Sequence, residues 1–263
     1  MNATLLMEAS ENNLLRALRA DDALTLAPYL HERWIDAGTV LYEPGDTVRT
    51  VYFPAARSMA SFTVELPDGR GVETALVGRE GAVGGIVSQG RLPAYSRCRV
   101  QFSGPFYCMA SAELEAIKQE SIRVRYLFAR YADCLLAQVF QSVACNAVHS
   151  LEQRTAKWLI AAIERTGDGE LPLTQEQLAG MLGVGRSYLS RVLRSFRERG
   201  ILGIRRGRLI LLDTEPLEAL ACDCNQLVKR HFDDVLRGVY PSADDAIATP
   251  ANGVANGSAS LQV

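Results

Sequence analysis

The spacing of apolar and polar positions changes twice along the chain. Residues 37–110 form brief runs rich in Val, Phe, Tyr and Thr, cut by Gly, Pro and Asp, a pattern that predicts short strands. "AGTVLYEPGD" is one strand between turns. "SFTVELPDGRGVETALV" is two strands joined at "PDG", where proline presets φ and glycine supplies a positive φ. Short strands at this spacing indicate a sandwich or barrel rather than an α/β sheet. Upstream, "ENNLLRALRA" opens as an amphipathic helix.

Near Ser111 the period becomes helical. "SAELEAI" predicts a short helix with an N-cap serine. From Ser121 to Ala147 there is neither Pro nor Gly, which predicts one helix roughly 40 Å long. Val124, Phe128, Tyr131, Leu135, Gln138, Ser142 and Cys145 recur at alternating spacings of four and three. Leu136, Phe140, Val143 and Ala147 mark a second face. A helix apolar on two faces is buried on two sides: one side can pack on its own domain and the other can meet a second chain, the alternative being a long central helix in a monomer. Another amphipathic helix begins at His149, with Leu151, Thr155, Trp158, Leu159, Ala162 and Ile163 facing inward, and "TGDGELP" ends it.

The next stretch is "LPLTQEQLAGMLGVGRSYLSRVLRSFRERGILGIRRGRLILLD". Thr174 and Gln177 have capping-box spacing, with Leu173 and Leu178 at the staple positions, so a helix starts at Gln175. Leu178, Met181 and Leu182 face inward, and Gly183 breaks the helix. A second helix starts near Arg186. At 100° per residue Leu189, Val192, Leu193 and Phe196 form one stripe, and Arg186, Ser187, Ser190, Arg191, Arg194 and Arg197 form the opposite one. Gly200 stands where a left-handed residue often ends a helix. Two short helices joined by a tight glycine turn make a helix-turn-helix. The hairpin around "RRG" that follows reads as a wing carrying Arg205, Arg206 and Arg208.

Charge sharpens this picture. The 263-residue chain has a formal net charge of −2, yet residues 150–212 hold eleven Lys and Arg against six Asp and Glu. A basic module thus sits in an acidic chain, which suggests a polyanion partner for that module alone. A solvated helix usually mixes signs at i,i+4, whereas the stripe at 186–197 is arginine and serine. Arginine is the planar fork that can grip guanine or phosphate. Together these features predict double-stranded DNA as the partner.

Other classes lack their chemistry. Hydrophobic content is 48% and charged content 22%, ordinary for a globular protein. The absence of a long apolar run argues against a membrane span, and the N-terminus does not read as a signal peptide, so a cytoplasmic location is expected. "GREGAVGG" lacks the Lys-Ser/Thr of a phosphate-binding loop, and with no nucleophile or metal motif assembled the chain is not expected to be an enzyme. The six cysteines, Cys98, Cys108, Cys134, Cys145, Cys222 and Cys224, form no C-x-x-C and read as reduced packing residues. On one helix Cys222 and Cys224 would point about 200° apart and could not share an ion. Cys224 and His231 would share a face, but two ligands do not make a tetrahedral site. His31, His149 and His231 read as surface or capping residues, so no metal is expected.

The segment "LTQEQLAGMLGVGRSYLSRVLRSFRERGIL" resembles the DNA-binding part of the Crp/Fnr regulators through Thr174, Gly183, Arg186, Ser190, Arg191 and Arg194. More loosely, Gly38, Leu41, Tyr42, Gly45, Asp46, the "LPDGR" hairpin and Gly78–Gly84 resemble that family's cyclic-nucleotide-binding β-roll. The resemblance spans roughly residues 14–213. It implies an α+β chain: an N-terminal antiparallel β-roll (a cupin-like jelly roll), a long dimerisation helix and a C-terminal winged helix-turn-helix. The expected boundaries are 1–118 for the sensor domain, 119–149 for the dimerisation helix and 150–213 for the DNA-binding domain. A helical extension is expected at 214–240, anchored by Leu217, Leu220, Leu227 and Phe232, with a disordered tail at 241–263.

By the same resemblance the chain is a homodimer on a two-fold symmetric operator, with RNA polymerase as a further partner. Arg186, Ser187, Ser190 and Arg191 would read bases. Thr174, Gln175, Arg194, Arg205 and Arg206 would contact phosphate. Dimerisation would use Val124, Phe128, Tyr131, Leu135, Gln138 and Ser142. The effector pocket would hold Gly84, Gly85, Tyr95, Ser96 and Arg97, and here the sequence departs from the family. Gly85 stands in place of the ribose-binding glutamate and Tyr95 in place of the phosphate-binding arginine. Losing both anchors leaves a cyclic phosphate without a partner charge, so cyclic AMP is not expected to bind tightly. An iron–sulfur cluster near the N-terminus is not expected, because the first cysteine is Cys98. The effector is left unknown. The alternative reading is a regulator without a small-molecule ligand, controlled by abundance or a protein partner.

Overall fold

The computed structural model describes residues 11–69, 71–85 and 93–236. Asn12, fully buried, caps a short helix α1 (Asn13–Arg16) by accepting from the amides of Leu14 and Leu15. Its amide donates to the carbonyls of Pro54 and Gly81 at 2.9 and 2.7 Å, tying the N-terminal segment to the strands. Helix α2 (Ala20–Leu26) follows. Seven antiparallel strands come next: β1 (His31–Ile35), β2 (Val40–Tyr42), β3 (Thr50–Pro54), β4 (Met59–Glu65), β5 (Gly71–Val77), β6 (Arg97–Phe102) and β7 (Gly104–Ala110). They form two sheets, ordered β1-β7-β3 and β2-β6-β4-β5. Alternating inward residues such as Cys98, Val100 and Phe102 on β6 are buried, as a two-layer packing requires. This is the expected β-roll, although its first strand starts before residue 37.

Helix α3 (Ser111–Glu120) leads into α4 (Ile122–Val148), capped by the Ser121 hydroxyl. Here the dimerisation assignment needs correction. Val124, Phe128, Tyr131 and Gln138 are buried within their own chain. Val124, Phe128 and Tyr131 belong to a core shared with Val51, Phe53 and Leu114. The Tyr131 hydroxyl donates to the Ala82 carbonyl at 3.0 Å, and the Gln138 amide donates to the Leu76 carbonyl at 3.0 Å. Leu135 packs at the edge of the inter-sheet core, and Ser142 is half-buried beside it on the helix. The other stripe is the open one: Leu136 is 48%, Phe140 64% and Val143 67% exposed. Period alone finds both faces of such a helix; the placement of the β-roll decides which it covers.

Helix α5 (Leu151–Thr166) opens with a Ser150–Gln153 capping box and ends at Gly167, whose φ is +68°. It is followed by β8 (Glu170–Leu171), α6 (Gln175–Met181), α7 (Arg186–Glu198), β9 (Leu202–Arg205) and β10 (Arg208–Leu211). The last three-stranded sheet is ordered β8-β10-β9. Its core joins Leu159, Leu178, Leu189, Leu193, Phe196 and Leu209. The expected single C-terminal helix is two: α8 (Glu215–Leu220) and α9 (Cys224–Val235), with Ala221 extended between them. Leu217 is buried, whereas the expected anchor Leu227 is 47% exposed. Helix α8 packs on α5 and α9 on α4; Phe232 meets Tyr131 edge to face at 6.4 Å. The extension therefore spans both domains rather than lying on one. The expected tail lies outside the described residues.

The two domains meet along β5. Trp158 Nε1 donates to Glu73 at 2.7 Å, Arg165 pairs with Glu80 at 2.7 Å, and Arg57 pairs with Asp168 at 2.7 Å. Burial pushes the Glu73 carboxyl up to about 7, against the opposing pull of its hydrogen bonds to Trp158 and Ser61 and of the Arg165 charge. A carboxyl raised in the fold binds its proton more tightly folded than unfolded. Its contribution to stability is therefore complete below about pH 4.5 and fades as pH rises through about 7. We expect the melting temperature to fall between about pH 5 and pH 8 by more in the wild type than in Glu73→Gln; thermal denaturation of both across that range checks this.

Candidate nucleic-acid interface and effector region

Helix α6 begins where side chains replace missing helical partners. The Gln177 amide donates to Thr174 Oγ1 at 3.2 Å, and the Thr174 amide donates to Gln177 Oε1 at 2.8 Å. Leu173 and Leu178 are both buried beneath this capping box. Gly183 makes the turn with φ at +66°, a conformation L side chains rarely adopt. It also lies against Val72 of β5, close enough that a Cβ would stand 3.3 Å from Val72 Cγ2.

Helix α7 is held by Leu189, Leu193 and Phe196, each with no exposed surface. That anchoring fixes where the other face points. Arg186, Ser187, Arg191, Arg194 and Arg197 are exposed on it. The nearest acid to Arg186 is Glu176 at 3.9 Å with both side chains open to solvent, a pairing that neutralises little. Ser190 differs from its expected place: it is half-buried and donates to Gln175 Oε1 at 2.8 Å. Ser190 and Gln175 thus lash α7 to α6. Tyr188, absent from the sequence-based set, is half-exposed with the Arg191 guanidinium 5.1 Å over its ring. Their i,i+3 spacing carried that signal. On the hairpin, Gly207 turns the chain with φ at +72°. Arg205 and Arg206 are exposed at its tip, whereas Arg208 pairs with Glu170 at 2.7 Å.

In the β-roll, Gly84 and Gly85 take φ of +88° and +58°. A Cβ on Gly84 would collide with the Thr50 carbonyl, and one on Gly85 would stand 2.9 Å from Ser111 Cβ. The Ser111 side chain therefore stands where a side chain at 85 would have to begin. Tyr95 is 85% exposed and Ser96 half-buried. Arg97 is engaged by two carboxylates, Glu43 at 2.7 Å and Glu65.

The cysteines divide into two groups. Cys98 and Cys108 lie in the inter-sheet core and Cys134 in the core that α4 shares with the β-roll, so these three are packing residues. The expectation that Cys222 and Cys224 diverge fails. Residues 221–223 are not helical, and the ligand atoms of Cys145, His149, Cys222 and Cys224 all lie within 4.8 Å of one another. His231 faces away and meets Asp133 at 3.0 Å.

Comparison with known proteins agrees with this geometry. Residues 153–220 match the Crp-like helix-turn-helix domain. No curated protein matches the chain. FixK2 from Bradyrhizobium japonicum superposes with a TM-score of 0.62 at 17% identity, over 73% of this chain and 98% of that one. The c-di-GMP-responsive global regulator CLP from Xanthomonas campestris gives 0.60 at 18%, over 74% and 100%. A Crp/Fnr-family transcriptional regulator from Thermus thermophilus gives 0.56 at 18%, over 72% and 97%. No described helix is long and apolar enough to cross a membrane.

Two expectations follow. Gly85→Glu should lower stability by about 1–3 kcal/mol through strain at a positive φ and create no cyclic-nucleotide affinity, as read by denaturant unfolding and calorimetry. Phe196→Ala should cost about 3–5 kcal/mol and unfold the C-terminal domain first, as read by amide exchange. The chain carries a Crp-like helix-turn-helix domain at its C-terminal end and has the fold of the Crp/Fnr transcriptional regulators.

Proposed function

We propose that the protein is a dimeric transcription regulator that reads a two-fold symmetric DNA site through α7. The observation that carries this is the anchored helix: three fully buried apolar residues hold one face while four exposed arginines, at 186, 191, 194 and 197, line the other. Arg191, steadied by Tyr188, and Arg186 read base edges. Ser187 sits at the groove floor, and Ser190 acts by holding Gln175. Arg194 grips phosphate, as do Arg205 and Arg206 from the wing. Thr174 and Gln175 offer the start of α6 to the same backbone. Two copies would place α7 helices about 34 Å apart, one turn of duplex.

The dimer forms through the open stripe of α4. Leu136, Phe140 and Val143 are too large and too exposed to be left in water along one helix face, and a parallel copy of the same stripe would cover them. For the β-roll, the filled space at Gly85 and the committed Arg97 favour a regulator that does not answer to cyclic AMP. RNA polymerase is the protein partner expected at a promoter.

In vitro selection of bound DNA tests the readout. Arg191→Ala should cost about 1–3 kcal/mol and relax one base pair per half-site. Arg205→Ala should weaken all sequences alike and lower the salt dependence. An unchanged motif and affinity with Arg191→Ala would refute the assignment. Phe140→Asp should yield a folded monomer in analytical ultracentrifugation, while Phe128→Ala should destabilise by about 3–5 kcal/mol without altering the oligomeric state.

A further inference from the structure

Two short hooks meet where the long helix ends. Cys145 and His149 are one turn apart on α4, with the His149 amide donating to the Cys145 carbonyl at 3.0 Å. The helix stops at His149, whose backbone is extended. Cys222 and Cys224 come from the link between α8 and α9, where the chain runs extended at Ala221 and turns into α9 at Asp223. The Cys145 and Cys222 sulfurs are 3.6 Å apart, and Cys224 Sγ is 3.5 Å from His149 Nδ1. In a tetrahedral zinc site, bond lengths of about 2.3 Å to sulfur and 2.0 Å to nitrogen imply edges of about 3.8 Å and 3.5 Å. The two close edges fit, and the longest separation in the set, within 4.8 Å, needs about an ångström of closure.

We propose that Cys145, His149, Cys222 and Cys224 bind one zinc ion. Three thiolates and an imidazole are a soft, borderline donor set that suits zinc and leaves no position for a reacting water, so the site is structural. Its surroundings fit a metal thiolate. The three sulfurs form a cluster separate from the three apolar cores. The Gln141 amide donates to Cys224 Sγ at 3.1 Å, the kind of outer hydrogen bond that orients a ligating thiolate. Cys224 and Gln141 also line an open cleft between the domains.

The two hooks bracket the winged helix-turn-helix. His149 immediately precedes the Ser150 cap of α5, and Cys222 follows α8. One ion would therefore fasten the entry and the exit of the DNA-binding domain to the end of α4. Metal occupancy then sets how that domain is held, a consequence that rests on the DNA-binding reading above.

The full chain, purified without a histidine tag, is assayed for metal and then reconstituted with Co²⁺. The expected result is one zinc per chain, and with cobalt both the thiolate-to-metal charge-transfer absorption and the strong visible bands of a tetrahedral site. Cys222→Ser, Cys224→Ser and His149→Ala should lose stoichiometric zinc. Cys134→Ser, a buried cysteine elsewhere, should keep it. Gln141→Ala should bind about 10-fold or more weakly. If ligand variants fail to fold, the cobalt spectrum of the wild-type chain decides. A wild-type chain that takes up neither metal, a Cys145–Cys222 disulfide in its place, or full zinc in the Cys145→Ser/Cys222→Ser double variant overturns the site. Removing zinc with a chelator should weaken DNA binding about 10-fold or more. Unchanged DNA affinity in the stripped chain overturns the clamping role and leaves the metal content as its own readout.

Discussion

The structure depends on the burial of one stripe of the 27-residue helix α4. Its N-terminal half completes the β-roll core through Val124, Phe128 and Tyr131. Its middle is pinned to β5 by Gln138, and Phe232 of α9 packs on Tyr131 from the other side. Its last turn presents Cys145 and His149 to the C-terminal extension. Because the helix spans about 40 Å, it serves as the common reference for both domains. The same stripe that organises the chain is buried within it, whereas Leu136, Phe140 and Val143 stay exposed.

A second constraint is the seam along β5. Glu73, Glu80 and Val72 each meet a residue of the C-terminal domain: Trp158, Arg165 and Gly183. Beside them, Met59, Leu76 and Phe102 of the β-roll share one apolar core with Leu159, Leu178 and Phe196 of the C-terminal domain, and Glu73 is a carboxyl that burial has pushed up to about 7. Such a seam, part apolar core and part ion pair, gives the helix-turn-helix a defined position against the β-roll.

Much of the DNA-facing half was legible in the sequence because its determinants are local. The capping box at Thr174 and Gln177, the turn at Gly183 and the apolar stripe of α7 depend on residues within a few positions of one another, and each forms as expected. Even there, the Ser190–Gln175 hydrogen bond escaped, because it joins two helices across the turn. The β-roll was legible as strands and turns. Its interior was not, since what fills the space at Gly85 is Ser111 and what occupies Arg97 is Glu43 and Glu65.

The sequence by itself determined the two periods of α4, the basic face of α7 and the order of the domains, because hydrophobic spacing and capping act over one or two turns. The tertiary structure alone decided which face of α4 is covered, since both are apolar and only the position of the β-roll distinguishes them. It also decided the fate of Cys222 and Cys224. A continuous helix would send their sulfurs apart; an extended residue at Ala221 turns both toward Cys145, 77 positions from Cys222 in the chain. No periodicity encodes that meeting, because it arises from how α8 and α9 pack on two different helices.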